Sequence, residues 1–168
     1  MSQALDLVRN RIVELLPRFR RFARTLTRNP HDADDLVQIA VERALLRYEQ
    51  WRPETRLESW MFGIIRNAWI DEIRSRQRRS ELFAPEESGE HVGDQSAQGQ
   101  LEHLALHAAL ARLNPEQREV VGLVLVEGLS YKEAAEILEI PIGTLTSRLA
   151  RARDSLQAEL SESGDKPT

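Results

Sequence analysis

Residues 129–153 read LSYKEAAEILEIPIGTLTSRLARAR, and this stretch predicts two short helices joined by a tight turn. Ser130 is placed to cap the first helix, and Glu133 three residues later can complete a capping box. Pro141 stops that helix from continuing, because proline lacks the amide hydrogen of a helix interior. In the second helix, which starts around residues 142–144, apolar residues recur at spacings of four, three and four: Leu145, Leu149, Ala152 and Leu156. The stretch therefore predicts a helix-turn-helix.

Polar side chains on the other face of the second helix are the first functional signal. They are Thr144, Ser147, Arg148 and Arg151. Hydroxyls and guanidiniums at this spacing can reach base edges and phosphates in a major groove. The alternative is a surface helix hairpin whose arginines are only solvated.

The composition suits a helical protein of one medium domain or two small ones. The 168 residues are 41% hydrophobic and 30% charged, with few aromatics and no cysteine. The lack of cysteine excludes disulfides, thiolate metal ligands and a cysteine nucleophile. Because there is no apolar run of 18 residues and no signal-peptide pattern, we expect a cytoplasmic protein with no membrane insertion.

The net charge of −4 conceals an uneven distribution along the chain. Residues 1–80 hold 16 Lys and Arg against 11 Asp and Glu, whereas residues 81–107 hold none against 6. The remaining residues, 108–168, hold 7 against 10. The positive charge is thus concentrated in the first half, so the overall acidity does not argue against nucleic-acid binding.

Three helices are predicted in the first 80 residues. The first covers residues 4–27. The second begins at Asn29 and Pro30, a cap followed by a favourable first position, and three aspartates are expected in its first turn: Asp32, Asp34 and Asp35. The third covers about residues 56–79, with an apolar set of Leu57, Trp60, Met61, Ile64, Ile65, Ala68, Trp69 and Ile73. We expect Trp60 and Trp69 to lie in the core.

Composition changes between the two halves, which predicts a division into domains. Residues 81–100 are rich in Gly, Ser, Gln and acids, as in a flexible linker. Helical periodicity resumes at Leu101 and a further helix begins at Asn114 and Pro115. We predict an all-α protein with two small helical domains, residues 1–80 and 101–160, and a disordered tail at residues 161–168.

Tryptophans interleaved with arginines, over the loop before the third helix and along it, are the second functional signal. Trp51 lies in the loop, and the helix ends in the basic run RSRQRR. Aromatic faces beside cations suit unstacked, single-stranded nucleic acid. A metal site at Asp32 and Asp35, or at the histidine pair 103 and 107, is a weaker interpretation than helix-end carboxylates and solvated histidines. We expect no enzyme activity, no metal and no cofactor.

Three separated segments resemble bacterial sigma factors of the sigma-70 family. They are ADDLVQIAVERAL (33–45), RLESWMFGIIRNAWIDEIRSRQRR (56–79) and LNPEQREVVGLVLVEGLSYKEAAEILEIPIGTLTSRLARAR (113–153). Their order and spacing are similar to the extracytoplasmic-function group. Within that group, RFRRFARTL and LTRNPHDADDLVQ look most like the alphaproteobacterial general-stress type.

The resemblance implies a dissociable subunit of RNA polymerase that recognises the −35 element and melts the −10 element of a promoter. It implies docking on the coiled coil of the largest polymerase subunit by Asp34, Asp35, Leu36, Val37 and Gln38. It places the −10 contacts at Trp51, Arg56, Arg66, Asn67, Asp71, Arg74 and Arg78. It places the −35 contacts at Ser130, Lys132, Thr144, Ser147, Arg148 and Arg151. It also implies contact with the polymerase β flap, and control by an anti-sigma factor.

Two positions depart from the family pattern. Many relatives carry Gly or Asn where Glu139 stands in the turn, and Lys where Thr146 stands. A different class remains open, a stand-alone helix-turn-helix regulator that binds palindromic DNA as a dimer. An adaptor that binds only proteins, including an anti-sigma factor, is a third possibility. The arginine face of the second domain and the Trp and Arg content of the third helix argue against it.

Overall fold

The computed structural model describes residues 2–82 and 97–164, and every regular element in these ranges is helical. The chain divides into two compact units, residues 1–90 and 91–168. The α-helices of the described residues are α1 Gln3–Thr27, α2 Pro30–Leu46, α3 Leu57–Leu82, α4 Ala97–Arg112, α5 Pro115–Val120, α6 Tyr131–Leu138 and α7 Ile142–Gly164. The predicted all-α class with two helical domains is confirmed. None of these helices combines the length and apolarity needed to cross a bilayer.

The corner between α1 and α2 is built from local polar contacts. α1 ends in the left-handed residue Arg28, at φ 61°, whose amide donates to the carbonyl of Arg24. Asn29 then caps α2, and its Oδ1 accepts from the amides of His31 and Asp32 at 2.9 and 3.3 Å. The predicted cap at Asn29, with proline at the first helical position, is confirmed.

Phe62 lies at the centre of the first unit, where α1, α2 and α3 pack together. Its ring is fully buried, with its centroid 5.8 Å from that of Phe19 and 5.1 Å from that of Phe22, both in edge-on geometry. The Arg18 guanidinium lies 5.5 Å from the same ring centroid. Edge-on aromatic pairs and a cation over a ring both add attraction beyond area burial.

The expectation that Trp60 and Trp69 are core residues is wrong. Both are half-buried, whereas Phe62, which the predicted apolar set omits, is completely enclosed. The buried residues of α3 are Leu57, Met61, Phe62, Ile65 and Ala68. Large apolar side chains stand on several sides of the first part of α3, so periodicity alone does not select the inward stripe.

The second unit begins with α4 and α5 and contains an unusual helical segment. Asn114 caps α5 in a capping box with Gln117, with reciprocal bonds of 2.8 and 3.3 Å. The chain continues as a π-helix over Val121–Val126, and the Glu127 amide donates to the Gly122 carbonyl five residues earlier at 2.9 Å. The Glu127 side chain is buried, so this segment places a carboxylate inside the unit.

The helix-turn-helix predicted at residues 129–153 is formed by α6 and α7. Ser130 caps α6, accepting from the Glu133 amide at 3.1 Å, and its hydroxyl lies 3.3 Å from the Glu133 carboxylate. The predicted apolar stripe of α7 faces the unit's core: Leu145, Leu149 and Ala152 are buried, and Leu156 packs beside them. Glu139 forms the turn in the left-handed conformation, at φ 55° and ψ 43°.

Three predicted boundaries differ from the structure. α3 runs to Leu82 and α4 starts at Ala97, so the predicted linker is helical at both ends; residues 83–96 lie outside the described residues. α7 runs to Gly164, which makes half of the predicted tail helical, and residues 165–168 are not described. α3 and α7 continue past their predicted ends because no proline or glycine stands at residues 80–82 or 161–163, whereas α4 begins early in spite of Gly99. Of the three aspartates of α2, only Asp32 lies in the first turn, because that turn begins at Pro30, the residue after the Asn29 cap.

Candidate nucleic-acid interface

The polar face predicted on α7 is present, but its members differ in accessibility. Ser147 and Arg151 are exposed, while Thr144 and Arg148 are half-buried. The Ser147 hydroxyl donates back to the Gly143 carbonyl at 3.1 Å. The Arg148 guanidinium lies 3.6 Å from the carboxylate of Glu116 on α5. The predicted polar face of α7 therefore combines one exposed arginine with one restrained by a carboxylate.

The two predicted DNA-binding residues near the start of α6 have different constraints. Lys132 is exposed on the helix. Ser130 is also exposed, but its oxygen already accepts the Glu133 amide as the helix cap. Its hydroxyl also donates to the Glu133 carboxylate at 3.3 Å, so a hydrogen bond from this hydroxyl to a phosphate would have to replace that contact.

Four of the residues predicted for the −10 element share one face of α3. Asn67, Asp71, Arg74 and Arg78 follow a spacing of four, three and four, and all four are exposed. Asp71 is nevertheless engaged, because its carboxylate accepts from Arg43 of α2 at 2.9 Å. The face thus presents one amide and two guanidiniums, beside an aspartate bound to the neighbouring helix.

The other three residues predicted for the −10 element are distributed around the start and middle of α3. Arg56 is exposed just before the helix, and Arg66 is half-buried on it. Trp51 follows the 3-10 turn Tyr48–Gln50 and is half-buried. Its indole nitrogen is buried without a hydrogen-bond partner among the described residues. Because this nitrogen is buried, Trp51 is more enclosed than an aromatic side chain on a free loop. A buried donor without an acceptor also costs folding free energy.

Arg76 of α3 is anchored to α2 by an ion-pair network. Arg76 lies 3.1 Å from Asp32 and 3.0 Å from Glu72, and its guanidinium is 5.7 Å from the ring centroid of Trp69. Burial by itself lowers the pKa of Arg76, but hydrogen bonds and charge from Asp32 and Glu72 raise it above the ordinary arginine value. The guanidinium therefore stays protonated, and its charge is largely balanced within the unit.

The segment predicted to dock on polymerase is divided between surface and core. Asp34, Asp35 and Gln38 are exposed, whereas Leu36 and Val37 are 3% and 4% exposed and pack inside the unit. A docking role for Leu36 and Val37 is therefore indirect, because a buried side chain shapes the helix and offers no contact surface. Two other apolar residues of α2 lie outside, Ile39 at 38% and Leu46 at 85% exposed.

The acidic start of α2 is engaged with arginines. Asp32 contacts Arg76 of α3, and Asp34 lies 4.0 Å from Arg20 of α1. In the described part of the chain, no three His, Asp or Glu side chains come together as a metal site would require. The side chain of His103, one half of the other candidate metal pair, lies outside the described ones.

The sequence interpretation missed the partners that restrain these side chains. Arg43, Arg76 and Glu116 each connect two helices through an ion pair. No sequence spacing indicates these pairs, because their members come from helices whose contact is decided by packing. The sequence signal that could have indicated such pairs was the large number of arginines in the first unit, which is more than solvation of its surface requires.

Comparison with known proteins assigns each unit to a family model. Residues 12–79 match sigma-70 region 2, and residues 103–156 match sigma-70 region 4. A helical unit of the first kind followed by a helix-turn-helix unit of the second kind defines the sigma-70 class of proteins.

A curated relative and two solved structures extend the match over almost the whole chain. The extracytoplasmic-function (ECF) RNA polymerase sigma factor EcfG of Rhodopseudomonas palustris is 38% identical over 159 residues, covering 92% of this chain and 86% of the relative. The sigma factor RpoE of Bartonella quintana, solved with the anti-sigma factor NepR, is similar with a TM-score of 0.83 and 33% identity, over 91% of this chain and 96% of that one. CnrH, solved with the cytosolic domain of CnrY, shares the fold at a TM-score of 0.72 and 23% identity, over 98% and 95% of the two chains. The chain belongs to the ECF sigma factors of the sigma-70 family.

Proposed function

We propose that this protein binds core RNA polymerase and directs initiation at promoters, recognising the −35 element and melting the −10 element. The observation that carries the proposal is the helix-turn-helix of α6 and α7, with Thr144, Ser147 and Arg151 on its surface, in a chain of the ECF sigma family. In this proposal α7 enters the major groove at −35.

The first unit supplies polymerase docking and the −10 contacts. Asp35, Ile39 and Leu46 lie on one exposed face of α2, where an acidic and two apolar side chains can meet a partner. On α3, Asn67, Arg74 and Arg78 offer an amide and two guanidiniums to the opened strand. Trp51 supports an unstacked base at the start of α3, where aromatic stacking stabilises single strands.

Control by an anti-sigma factor of the NepR kind is part of the proposal. It is supported by the RpoE structure with NepR and by the similarity to EcfG. On this basis the chain is a general-stress sigma factor of the alphaproteobacterial type. The exposed apolar residues of α2 give such an inhibitor a surface to cover, which would prevent polymerase docking while it is bound.

The proposed role involves no chemistry by the protein itself. A sigma factor positions DNA and opens it, and the polymerase catalyses synthesis, so the function needs neither catalytic residues nor a cofactor here. The site of action is the cytoplasm, where core polymerase and promoter DNA are found.

A run-off transcription assay with purified core polymerase on genomic promoter fragments tests the proposal. We expect initiation at defined start sites only when this protein is added. Arg151→Ala should reduce initiation, because Arg151 is exposed on the polar face of α7. Arg153→Ala is the matched control, since Arg153 is also exposed but lies on the opposite side of the helix from Arg151 and Thr144.

Two results would contradict the proposal. If core polymerase starts at the same sites without the protein, the sigma function is wrong. If nothing initiates and the protein alone shifts palindromic duplex DNA as a dimer, the stand-alone regulator replaces it.

A further inference from the structure

Arg148 differs from the other arginine on the polar face of α7 in being held by an acidic side chain. Its Nη2 lies 3.6 Å from Oε2 of Glu116, and 27% of its side chain is exposed. Arg151 is exposed and makes no ion pair within the described residues. Before a phosphate binds, one guanidinium of this predicted DNA-binding face is therefore paired with a carboxylate, and the other is solvated.

The position of Glu116 is fixed by the start of α5. Glu116 follows Pro115 in the first turn, and the reciprocal bonds between Asn114 and Gln117 close that turn. A carboxylate in a first turn is favoured by the helix dipole. The Glu116 side chain is 64% exposed, so it reaches the arginine across the surface and is not forced there by packing.

An ion pair this exposed contributes little to the free energy of folding, so we expect its main effect on DNA binding. Sequence-independent binding to DNA depends on cations that neutralise phosphates and release counterions. A guanidinium that already faces a carboxylate neutralises a phosphate only by giving up that partner. Binding to non-promoter DNA is almost entirely electrostatic, whereas promoter binding also has base contacts. Restraint of one phosphate-binding guanidinium therefore removes a larger fraction of the binding free energy from non-promoter DNA than from a promoter.

We propose that Glu116 is a positioning residue for promoter selection, which restrains Arg148 and so weakens binding to non-promoter DNA. The inference rests on the proposed function, in which α7 enters the −35 major groove. It adds to that function a residue outside the helix-turn-helix that raises the ratio of promoter to non-promoter affinity.

The experiment compares holoenzymes reconstituted from core polymerase and the full-length chain. Glu116→Gln keeps the shape of the side chain and removes its charge. Glu162→Gln is the matched control, because it removes the same charge from the exposed end of α7, about 21 Å along the helix from Arg148. Affinities for a promoter duplex and a non-promoter duplex are measured over a range of salt concentrations, with the melting temperature of each variant.

Glu116→Gln should bind non-promoter duplex about fivefold more tightly. This is the change in affinity that corresponds to the free energy of one charge–charge interaction at about 4 Å in water. The salt dependence should become steeper by about 0.9, equivalent to one additional phosphate contact. Promoter affinity should rise less, so the ratio of the two affinities falls. In an Arg148→Gln background the Glu116 substitution should have no effect, because the group it restrains is absent.

Several outcomes would overturn the inference. If Glu116→Gln and Glu162→Gln raise the affinity for non-promoter duplex equally, the effect is due only to the change in net charge. Persistence of the effect without Arg148 would mean that Glu116 repels phosphates directly. A fall in melting temperature together with promoter affinity would make Glu116 a structural residue. If the wild-type holoenzyme itself starts at no promoter, the proposed function fails, which is a different result from these three.

Discussion

Glu139, in the turn between α6 and α7, occupies a backbone conformation that favours glycine. At φ 55° and ψ 43° an L-residue crowds its Cβ against the following carbonyl, at a cost of about 1–2 kcal/mol. Glycine avoids this crowding but loses more chain entropy on folding, about 0.5–1 kcal/mol. The Glu139 side chain is exposed and makes no polar contact within the described residues, so its removal costs nothing further. Glu139→Gly should therefore stabilise the second unit by about 0.5–1 kcal/mol.

The gain can be measured as a change in melting temperature. For a unit of this size it corresponds to a rise of about 2–8 °C by calorimetry. Hydrogen–deuterium exchange of the full chain should place the added protection in α6 and α7. Glu139→Ala is the control for lost charge, because it keeps the Cβ and should gain nothing.

Gly128 provides a test of opposite sign. It also lies in the left-handed region, at φ 71°, and a Cβ built there meets no atom within 4 Å. Gly128→Ala should destabilise the same unit by about 1 kcal/mol for conformational reasons alone. If Glu139→Gly is no more stable than Glu139→Ala, the argument from backbone conformation is refuted.

Three further predictions concern packing, capping and ion pairing. Phe62→Ala should cost the first unit about 3–5 kcal/mol in a urea titration, and Phe62→Leu clearly less, because its ring is enclosed by two other phenylalanines; equal losses would contradict the packing argument. Ser130→Ala should lower the stability of the second unit by about 1 kcal/mol, whereas Ser130→Asp should keep the cap and reduce promoter binding by its negative charge; unchanged transcription with Ser130→Asp would remove Ser130 from the interface. A double-mutant cycle of Arg43→Gln and Asp71→Asn should give a coupling free energy of about 0.2–1 kcal/mol, as for exposed pairs; a coupling free energy several times larger would contradict the argument that solvent screens this pair.

Local signals in the sequence predicted most of the fold. The caps at Asn29, Asn114 and Ser130 depend only on residues within one turn, and all three are present. The inward stripe of α7 was readable because it is narrow and its flanks are polar. These features are decided by neighbours along the chain, which sequence reasoning can examine directly.

Features that depend on contacts between helices could not be predicted. α3 carries large apolar side chains on several sides, and only packing against α1 and α2 selects Phe62 over Trp60 for the centre. The functional side chains show the same limit. Arg148 lies on the polar face of α7 that the sequence predicted. Its partner Glu116, and Arg43, the partner of Asp71, come from other helices, and these partners change what each side chain can offer a ligand.

The π-helical segment Val121–Val126 has a consequence for how this protein can change in evolution. A π segment contains one more residue than the α-helical path it replaces. Deleting one residue here would restore ordinary α geometry and leave the direction of the following residues nearly unchanged, whereas the same deletion inside an α-helix would turn everything after it by about 100°, the angle between successive residues. Ser130, Lys132 and Arg151 would then keep their orientation. We therefore expect this short apolar run to tolerate the loss of one residue better than α4 or α7 would.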